Sequence, residues 1–257
     1  MSDKILTLTT DFGTRDGYIG GIKGLILSRD PAVKIVDLSH EISPFNIGQA
    51  AYAVYNAHSF YPDKTVHVVI VDPGVGSERR ILLVEASGQY FIGPDNGIFD
   101  PIVYLNEKYR CMEIDPGYFS HVSATFHGRD IFVPAALKIL NAESIEAFTK
   151  EVEYEYRLLT PEMMEGSKAV VLHSDHFGNI VTALSQEKTD SGDLEGLRFE
   201  QIDIPFISIY EEGDDASPSC LFGSNGLLEV AIKRGSAAEY FKKRWNGIPT
   251  SFDVVWK

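Results

Sequence analysis

An apolar run over 66–71 empties into an aspartate and, past a Pro-Gly turn, reaches two arginines: VHVVIVDPGVGSERR spans 66–80. A carboxylate at the carboxyl end of a buried strand stands where open α/β sheets keep their ligand chemistry. Asp72 and Arg79 are separated by a glycine-containing loop across which the guanidinium can fold back on the carboxylate. Such a pair is either a structural ion pair at a strand exit or the charged part of a reaction centre. His127, at a loop-to-helix junction in TFHGRDIFVPAA, offers a base, an anion partner or a cap. Two further strand exits carry acids, Asp11 after 5–9 and Asp37 in 34–38. In a parallel sheet these exits share one edge, so the three carboxylates are expected to converge on one crevice. Asp11 suits a hydrogen-bond acceptor for ribose hydroxyls, because Asp16 is the better placed cap for the next helix.

The elements that must position these groups alternate in type. Strands are expected at 5–9, 34–38, 66–71, 81–86 and 90–92, and helices at 17–29, 47–60 and 129–140, the last carrying Pro134 in its first turns. The 66–71 run is continuously apolar, as when both faces of a strand are covered. The alternation implies a mostly parallel sheet with helices on both sides. The stretch 151–166 is charged, lacks a period and contains Thr160-Pro161, which places a linker there. Beyond Lys168, short strands at 169–173, 180–184, 206–210, 226–232 and 251–256, with one helix near 236–244, imply a small all-β barrel or sandwich. The chain is thus expected to divide into an α/β domain at 1–157, a linker at 158–167 and a β domain at 168–257.

Composition narrows the function. The 257 residues carry a net charge of −14, against the basic face of a nucleic-acid binder. Two distant cysteines argue against a disulfide framework or thiolate metal site. No apolar run is long enough for a signal peptide or a membrane span, so a reduced, cytoplasmic protein is expected. Gly74-Val75-Gly76 lacks the third glycine and following helix of a dinucleotide fingerprint, and no Walker sequence occurs. The polar segments 93–97, 175–179 and 222–226 serve as turns or as ligand loops, and spacing alone does not choose.

In combination, TDFGTRDGYIGGIKG, VDPGVGSERR, GPDNG, TFHGRDIFVPAA, DHFGN and GSNGLLEVAIKRGSAA occur in this order from Thr10 to Ala238. The series resembles the S-adenosylmethionine hydrolases, or hydroxide adenosyltransferases, relatives of the fluorinating and chlorinating nucleosidases. The resemblance implies a larger amino-terminal α/β domain, a smaller carboxy-terminal β-barrel and a homotrimer with sites between neighbouring subunits. It implies hydrolysis of S-adenosylmethionine to adenosine and L-methionine, with no metal and no cofactor. The family's Asp-Arg-His set falls on Asp72, Arg79 and His127, and its ribose aspartate on Asp11. Asp175 and Asn179 fall toward the amino acid part and the adenine, and Tyr210 on an aromatic that stacks on adenine. Ser224 matches a family serine, although Gly223 replaces the usual asparagine, and Asn225 stands where halogenating relatives place an arginine. Glu229 joins the substrate-binding group, and backbone contacts to adenine are implied around Ile232 to Arg234. Fluorinating relatives lack this Asp and His and carry a serine in place of Gly128, which counts against fluoride chemistry.

A sulfonium makes methionine a neutral leaving group, so the chemistry needs an aligned oxygen nucleophile and no general acid. A carboxylate already engaged by an arginine is a poor base, so Asp72 and Arg79 are expected to orient the water while His127 accepts or relays its proton. Alternatively, Arg79 and His127 favour hydroxide electrostatically. Two other readings compete: a non-catalytic S-adenosylmethionine or adenosine sensor, and a metal-dependent phosphohydrolase built on Asp11, Asp72 and Asp95.

Overall fold

The computed structural model describes residues 3–106, 108–159, 166–189 and 193–257. It forms two compact units, Met1–Leu158 and Leu159–Lys257. Most of the expected linker, 160–165, lies outside the described residues. No helix among the described residues is long and apolar enough to cross a membrane.

In the first unit, strands β1 (Ile5–Thr10), β2 (Lys34–Ser39), β3 (Val66–Ile70), β4 (Ile81–Ala86), β5 (Gln89–Pro94), β6 (Tyr109–Ile114) and β7 (Thr149–Glu151) form one sheet in the order β2-β1-β3-β5-β4-β6-β7. Helices are α1 (Tyr18–Arg29), α2 (Ile47–His58), α3 (Asp100–Tyr104) and α4 (Val133–Leu140). The sheet is parallel from β2 to β5 and antiparallel from β5 to β7. The expectation of a mostly parallel sheet therefore holds for one half only. β4 and β5 are joined through Ser87 (φ 52°) and Gly88 (φ 73°), a reversal that needs left-handed backbone. Because both faces of these strands are buried, no polar alternation announced their direction.

Both faces of the sheet are covered. Leu6, Leu8, Ile70, Leu83 and Ile92 pack with Ile22 and Ile26 of α1 and Ala136 of α4 on one side. Val69, Val71, Leu82 and Phe91 pack with Val54 of α2 and Ile102 of α3 on the other. Buried polar groups cross β1, β3 and β5 in a chain. Gln89 Nε2 donates to the His58 and Tyr61 carbonyls at 3.0 and 2.7 Å. Its Oε1 therefore accepts from His67 Nε2 (3.2 Å), and His67 Nδ1 accepts from Thr7 Oγ1 (2.8 Å). The His67 ring stacks on Phe91 at 4.8 Å, and burial presses its pKa down to about 3.

α1 departs from expectation at its start. Its N-cap is Gly17, with no side-chain cap bond, and not Asp16. The helix begins one residue later than a cap at 16 requires, so Asp16 sits outside the position from which a side chain reaches the second or third amide. α2 is capped as usual: Asn46 Oδ1 accepts from the Gln49 amide at 2.9 Å. Ahead of α4, Gly128–Phe132 forms a wide π-helical turn, and Pro134 falls in the first turn of α4. A Cβ on Gly128 would lie 2.8 Å from Ile70 side-chain atoms, so glycine lets this turn press on the end of β3.

The second unit is an antiparallel sheet of β8 (Lys168–Ser174), β9 (Ile180–Ser185), β10 (Leu194–Phe199), β11 (Ile202–Pro205), β12 (Ser219–Phe222), β13 (Leu227–Ala231) and β14 (Ser251–Trp256), ordered β11-β10-β14-β8-β9-β13-β12. The Ile207 amide donates to the Cys220 carbonyl at 2.9 Å, bringing the ends together in a nearly closed, barrel-like sheet. The strand expected at 206–210 is not formed. Phe206 makes a single bridge to Cys220, and Tyr210–Glu212 turns away as a 3-10 helix. Helix α5 (Ala237–Trp245), capped by Ser236, lays Phe241 against Phe199 and Phe252 at 5.6 Å each.

Candidate active site

The exits of β1 and β3, the loop before α2 and the 125–128 segment enclose a cleft of about 450 Å³ in the first unit. Asp11, Asp72 and His127 line it together with Phe12, Tyr18, Phe45 and Phe126. Arg79 closes on Asp72 in a fork: Nε donates to Oδ1 at 2.7 Å and Nη2 to Oδ2. The side chains are nearly excluded from water, Asp72 6% and Arg79 10% exposed. The second hydrogen of Nη2 goes to His127 Nδ1 at 3.0 Å. A guanidinium has only donors, so Nδ1 accepts and the imidazole is neutral with its hydrogen on Nε2. Burial, then the Arg79 charge, lowers the His127 pKa, outweighing Asp72 and Asp130, and this keeps the ring neutral. The Arg79 guanidinium also lies over the Phe132 ring at 5.6 Å.

Asp11 is held from the opposite loop, its Oδ2 accepting from the Phe45 amide at 2.9 Å. Phe45 adopts φ 66°, uncommon for a bulky residue, and leaves its ring 68% exposed. Phe12, Tyr18 and Phe126 meet pairwise with ring centroids 5.7 Å apart. Arg129 covers Phe126 from behind at 4.7 Å. Phe12 and Tyr18 lie in TDFGTRDGYIGGIKG and Phe126 in TFHGRDIFVPAA, but nothing in those motifs marks the three rings as one wall.

Asp37 does not join the other strand-exit acids. β2 runs on to Ser39, so Asp37 pairs within the strand and meets Lys23 at 2.5 Å and His40 at 3.0 Å. The phosphohydrolase set is not assembled either. Asp95 is 3% exposed and engaged by Arg80 (2.7 Å) and Arg157 (3.0 Å), while Asp72 is engaged by Arg79. Carboxylates filled by guanidinium donors do not fit the ligand set a cation needs.

The remaining sequence-derived residues lie in the second unit, where two linked groups form and Ser224 and Asn225 stand apart from both. Asp175 and Asn179 close on each other: Asp175 Oδ1 accepts the Asn179 amide at 2.8 Å and Oδ2 accepts Asn179 Nδ2 at 3.1 Å. Glu229, on β13, is pushed up to about 7 by burial and then by the Asp175 charge. Tyr210 Oη donates to the Ile232 carbonyl and accepts from the Arg234 amide, both at 2.9 Å. Those two backbone groups are therefore engaged by Tyr210, whose ring is 41% exposed. Ser224 is exposed, and Asn225 Oδ1 accepts from the Leu227 amide at 3.0 Å.

Comparison with known proteins bears on the family of the chain. The SAM hydroxide adenosyltransferase N-terminal domain matches residues 6–149, and the C-terminal domain of the same name matches 169–247. The (R)-S-adenosyl-L-methionine hydrolase of Methanocaldococcus jannaschii is 35% identical over 249 residues, 88% of each chain. That of Thermus thermophilus is also 35% identical, covering 90% of this chain and 92% of its own. The crystal structure of an uncharacterised conserved protein from Thermotoga maritima superposes with a TM-score of 0.80 at 27% identity, covering 98% of this chain and all of that one. Matched along both of its halves, the chain belongs to the SAM hydroxide adenosyltransferase family.

Proposed function

We propose that this protein hydrolyses S-adenosylmethionine to adenosine and L-methionine. The observation that carries the reading is the hydrogen-bonded Asp72–Arg79–His127 chain at an aromatic cleft that also holds Asp11. In the reaction the C5′–S bond breaks with its electron pair on sulfur, giving neutral methionine. A C5′–O bond forms from water, whose second proton is released. Asp11 receives the ribose hydroxyls, and the aromatic wall faces the sulfonium, whose positive charge suits ring faces. Asp72 keeps a lone pair on each oxygen beyond its bonds to Arg79, so it can accept a hydrogen from the nucleophilic water. His127, with Nδ1 occupied by Arg79, offers Nε2–H as a donor. Of the two roles left open by the sequence, this geometry favours stabilising hydroxide over accepting a proton.

In the same reading, 1–157 is the domain carrying the catalytic set, 158–167 the linker and 168–257 the domain supplying adenine and amino-acid contacts. Asp175, Asn179, Tyr210, Ser224, Asn225 and Glu229 provide those contacts, with the Ile232 carbonyl and Arg234 amide holding Tyr210 in place, and a homotrimer completes the site at subunit interfaces. We take the (R) sulfonium epimer as substrate, as the relatives' names specify. Two free, buried cysteines, Cys111 and Cys220, suit the cytoplasm. Chromatography of protein incubated with S-adenosylmethionine in oxygen-18 water tests the activity. Labelled adenosine plus methionine is expected; intact substrate alongside measurable binding would sink the hydrolase reading.

A further inference from the structure

The turn GPDNG at 93–97 contributes nothing to the catalytic set, yet it touches both ends of the loop that carries it. β3 ends at Ile70, and the fully buried Val71 is the last residue before Asp72. The Val71 carbonyl accepts from Asn96 Nδ2 at 3.0 Å. The Ile98 amide donates to Asn96 Oδ1 at 3.3 Å, which orients the amide so that Nδ2 faces Val71. At the far end of the loop, Arg80 follows Arg79. Arg80 Nε donates to Asp95 Oδ2 at 2.7 Å, and the Arg80 carbonyl accepts from the Asp95 amide at 3.1 Å. Arg157 holds the Asp95 carboxylate from its other side, with Nε and Nη2 both at 3.0 Å.

Between these anchors, 73–78 belongs to no helix or strand, and Pro73, Gly76, Ser77 and Glu78 are exposed. Its bonds are local, such as the Ser77 amide to the Gly74 carbonyl at 3.1 Å. A loop with glycines at 74 and 76 has little stiffness of its own. The fork of Arg79 on Asp72 nevertheless needs both side chains in register to a fraction of an ångström. A buried carboxylate between two guanidiniums is in itself a poor source of stability.

We propose, resting on the hydrolase reading, that Asp95 and Asn96 are positioning residues for the reaction: one turn clamps Val71 and Arg80 and so fixes the Asp72–Arg79 pair. Neither touches the cleft; both act through the backbone neighbours of the pair.

The test uses the full chain carrying Asp95→Asn or Asn96→Asp, the latter replacing the donor at Val71 by an acceptor of the same shape. Adenosine release from S-adenosylmethionine is followed by chromatography. Each variant is expected to lower kcat by about 10²-fold, the penalty of an ångström-scale misplacement, with KM moving less than about threefold. Combining Asp95→Asn with Arg79→Lys is expected to lose little beyond the worse single variant, because both act on one pair. Unchanged kcat, a loss confined to KM, or fully multiplicative losses overturn the proposal. The Arg79 Nε–H resonance of nitrogen-15-labelled protein reads the same clamp without turnover, and it is expected to move in both variants. If the wild-type protein releases no adenosine, the hydrolase reading fails and this resonance decides the clamp alone. A shifted peak supports the clamp, and an unmoved one overturns it.

Discussion

At the scale of single residues, one guanidinium organises the site. Arg79 spends Nε and one hydrogen of Nη2 on Asp72 and the other on His127, which settles the imidazole tautomer. Asp72→Ala would leave a buried charge unpaired and confuse lost chemistry with lost stability. Asp72→Asn keeps the volume and His127→Asn keeps an acceptor toward Arg79, and each is expected to lower kcat by about 10²- to 10³-fold, the usual loss for one preorganised partner of developing charge. Titration calorimetry is expected to find S-adenosylmethionine affinity within a few-fold of wild type; failure mainly in binding would remove these roles. Acid acts on the same contact. Protonated at Nδ1, His127 could no longer accept from Arg79, and its lowered pKa delays this below the ordinary histidine range. The kcat–pH profile is therefore expected to show no break near 6.5, and a break there would reinstate His127 as the titrating base. Asp11 belongs to binding. Asp11→Ala is expected to weaken affinity by about 1.5–3 kcal/mol, the worth of hydrogen bonds to a charged acceptor. Unchanged affinity would place the ribose elsewhere.

At the scale of elements, what could be read in advance was whatever local chemistry dictates. A carboxylate after a continuously apolar strand and an arginine across a short glycine loop mark Asp72 and Arg79, and both lie where that pattern puts them. Asp37 shows the limit. β2 continues two residues past it, to Ser39, and the sequence does not say whether an acid near the end of an apolar run lies inside the strand or at its exit. The antiparallel half of the first sheet was equally silent, since a strand buried on both faces looks alike in either direction. The aromatic wall is assembled from 12, 18, 45 and 126, which only the fold brings together. The approach of the π-helical turn to β3 also left no signal beyond a glycine, although it seats His127. Gly128→Ala would drive a Cβ to 2.8 Å from Ile70, and overpacking of this kind destabilises by about 1–3 kcal/mol. Urea unfolding is expected to show that loss and its partial recovery in Gly128→Ala/Ile70→Val. Absence of any recovery would mean that the strain lies in the turn's backbone or in the Cγ2 contact that valine keeps, and not in the Cδ1 contact.

At the scale of the whole molecule, buried histidines set the acid limit of stability against a net charge of −14. As pH falls, protonation of carboxylates relieves the self-repulsion of so acidic a chain. His67 pulls the other way. Folded, it is held neutral with a pKa of about 3, its Nδ1 accepting from Thr7 and its ring stacked on Phe91. Unfolded, it titrates near 6.5, so between about 3 and 6.5 the unfolded chain binds a proton that the folded chain refuses. Stability from this group is complete above 6.5 and falls by about 1.4 kcal/mol per pH unit below it. His58, also lowered by burial, adds to the trend, whereas Glu229, raised to about 7, opposes it between its unfolded value and 7 by taking up a proton on folding. A single variant separates His67 from the rest. His67→Gln retains hydrogen-bonding groups toward Thr7 and Gln89 but cannot titrate. It is expected to be less stable than wild type at pH 7.5, through lost stacking on Phe91. The gap is expected to narrow by about 2 kcal/mol on going to pH 5, because only the wild type carries the proton-linked penalty. Urea unfolding of both proteins at the two pH values measures this directly. A gap that stays constant would show that His67 accepts a proton in the folded chain and that the polar ladder across β1, β3 and β5 rearranges to receive it.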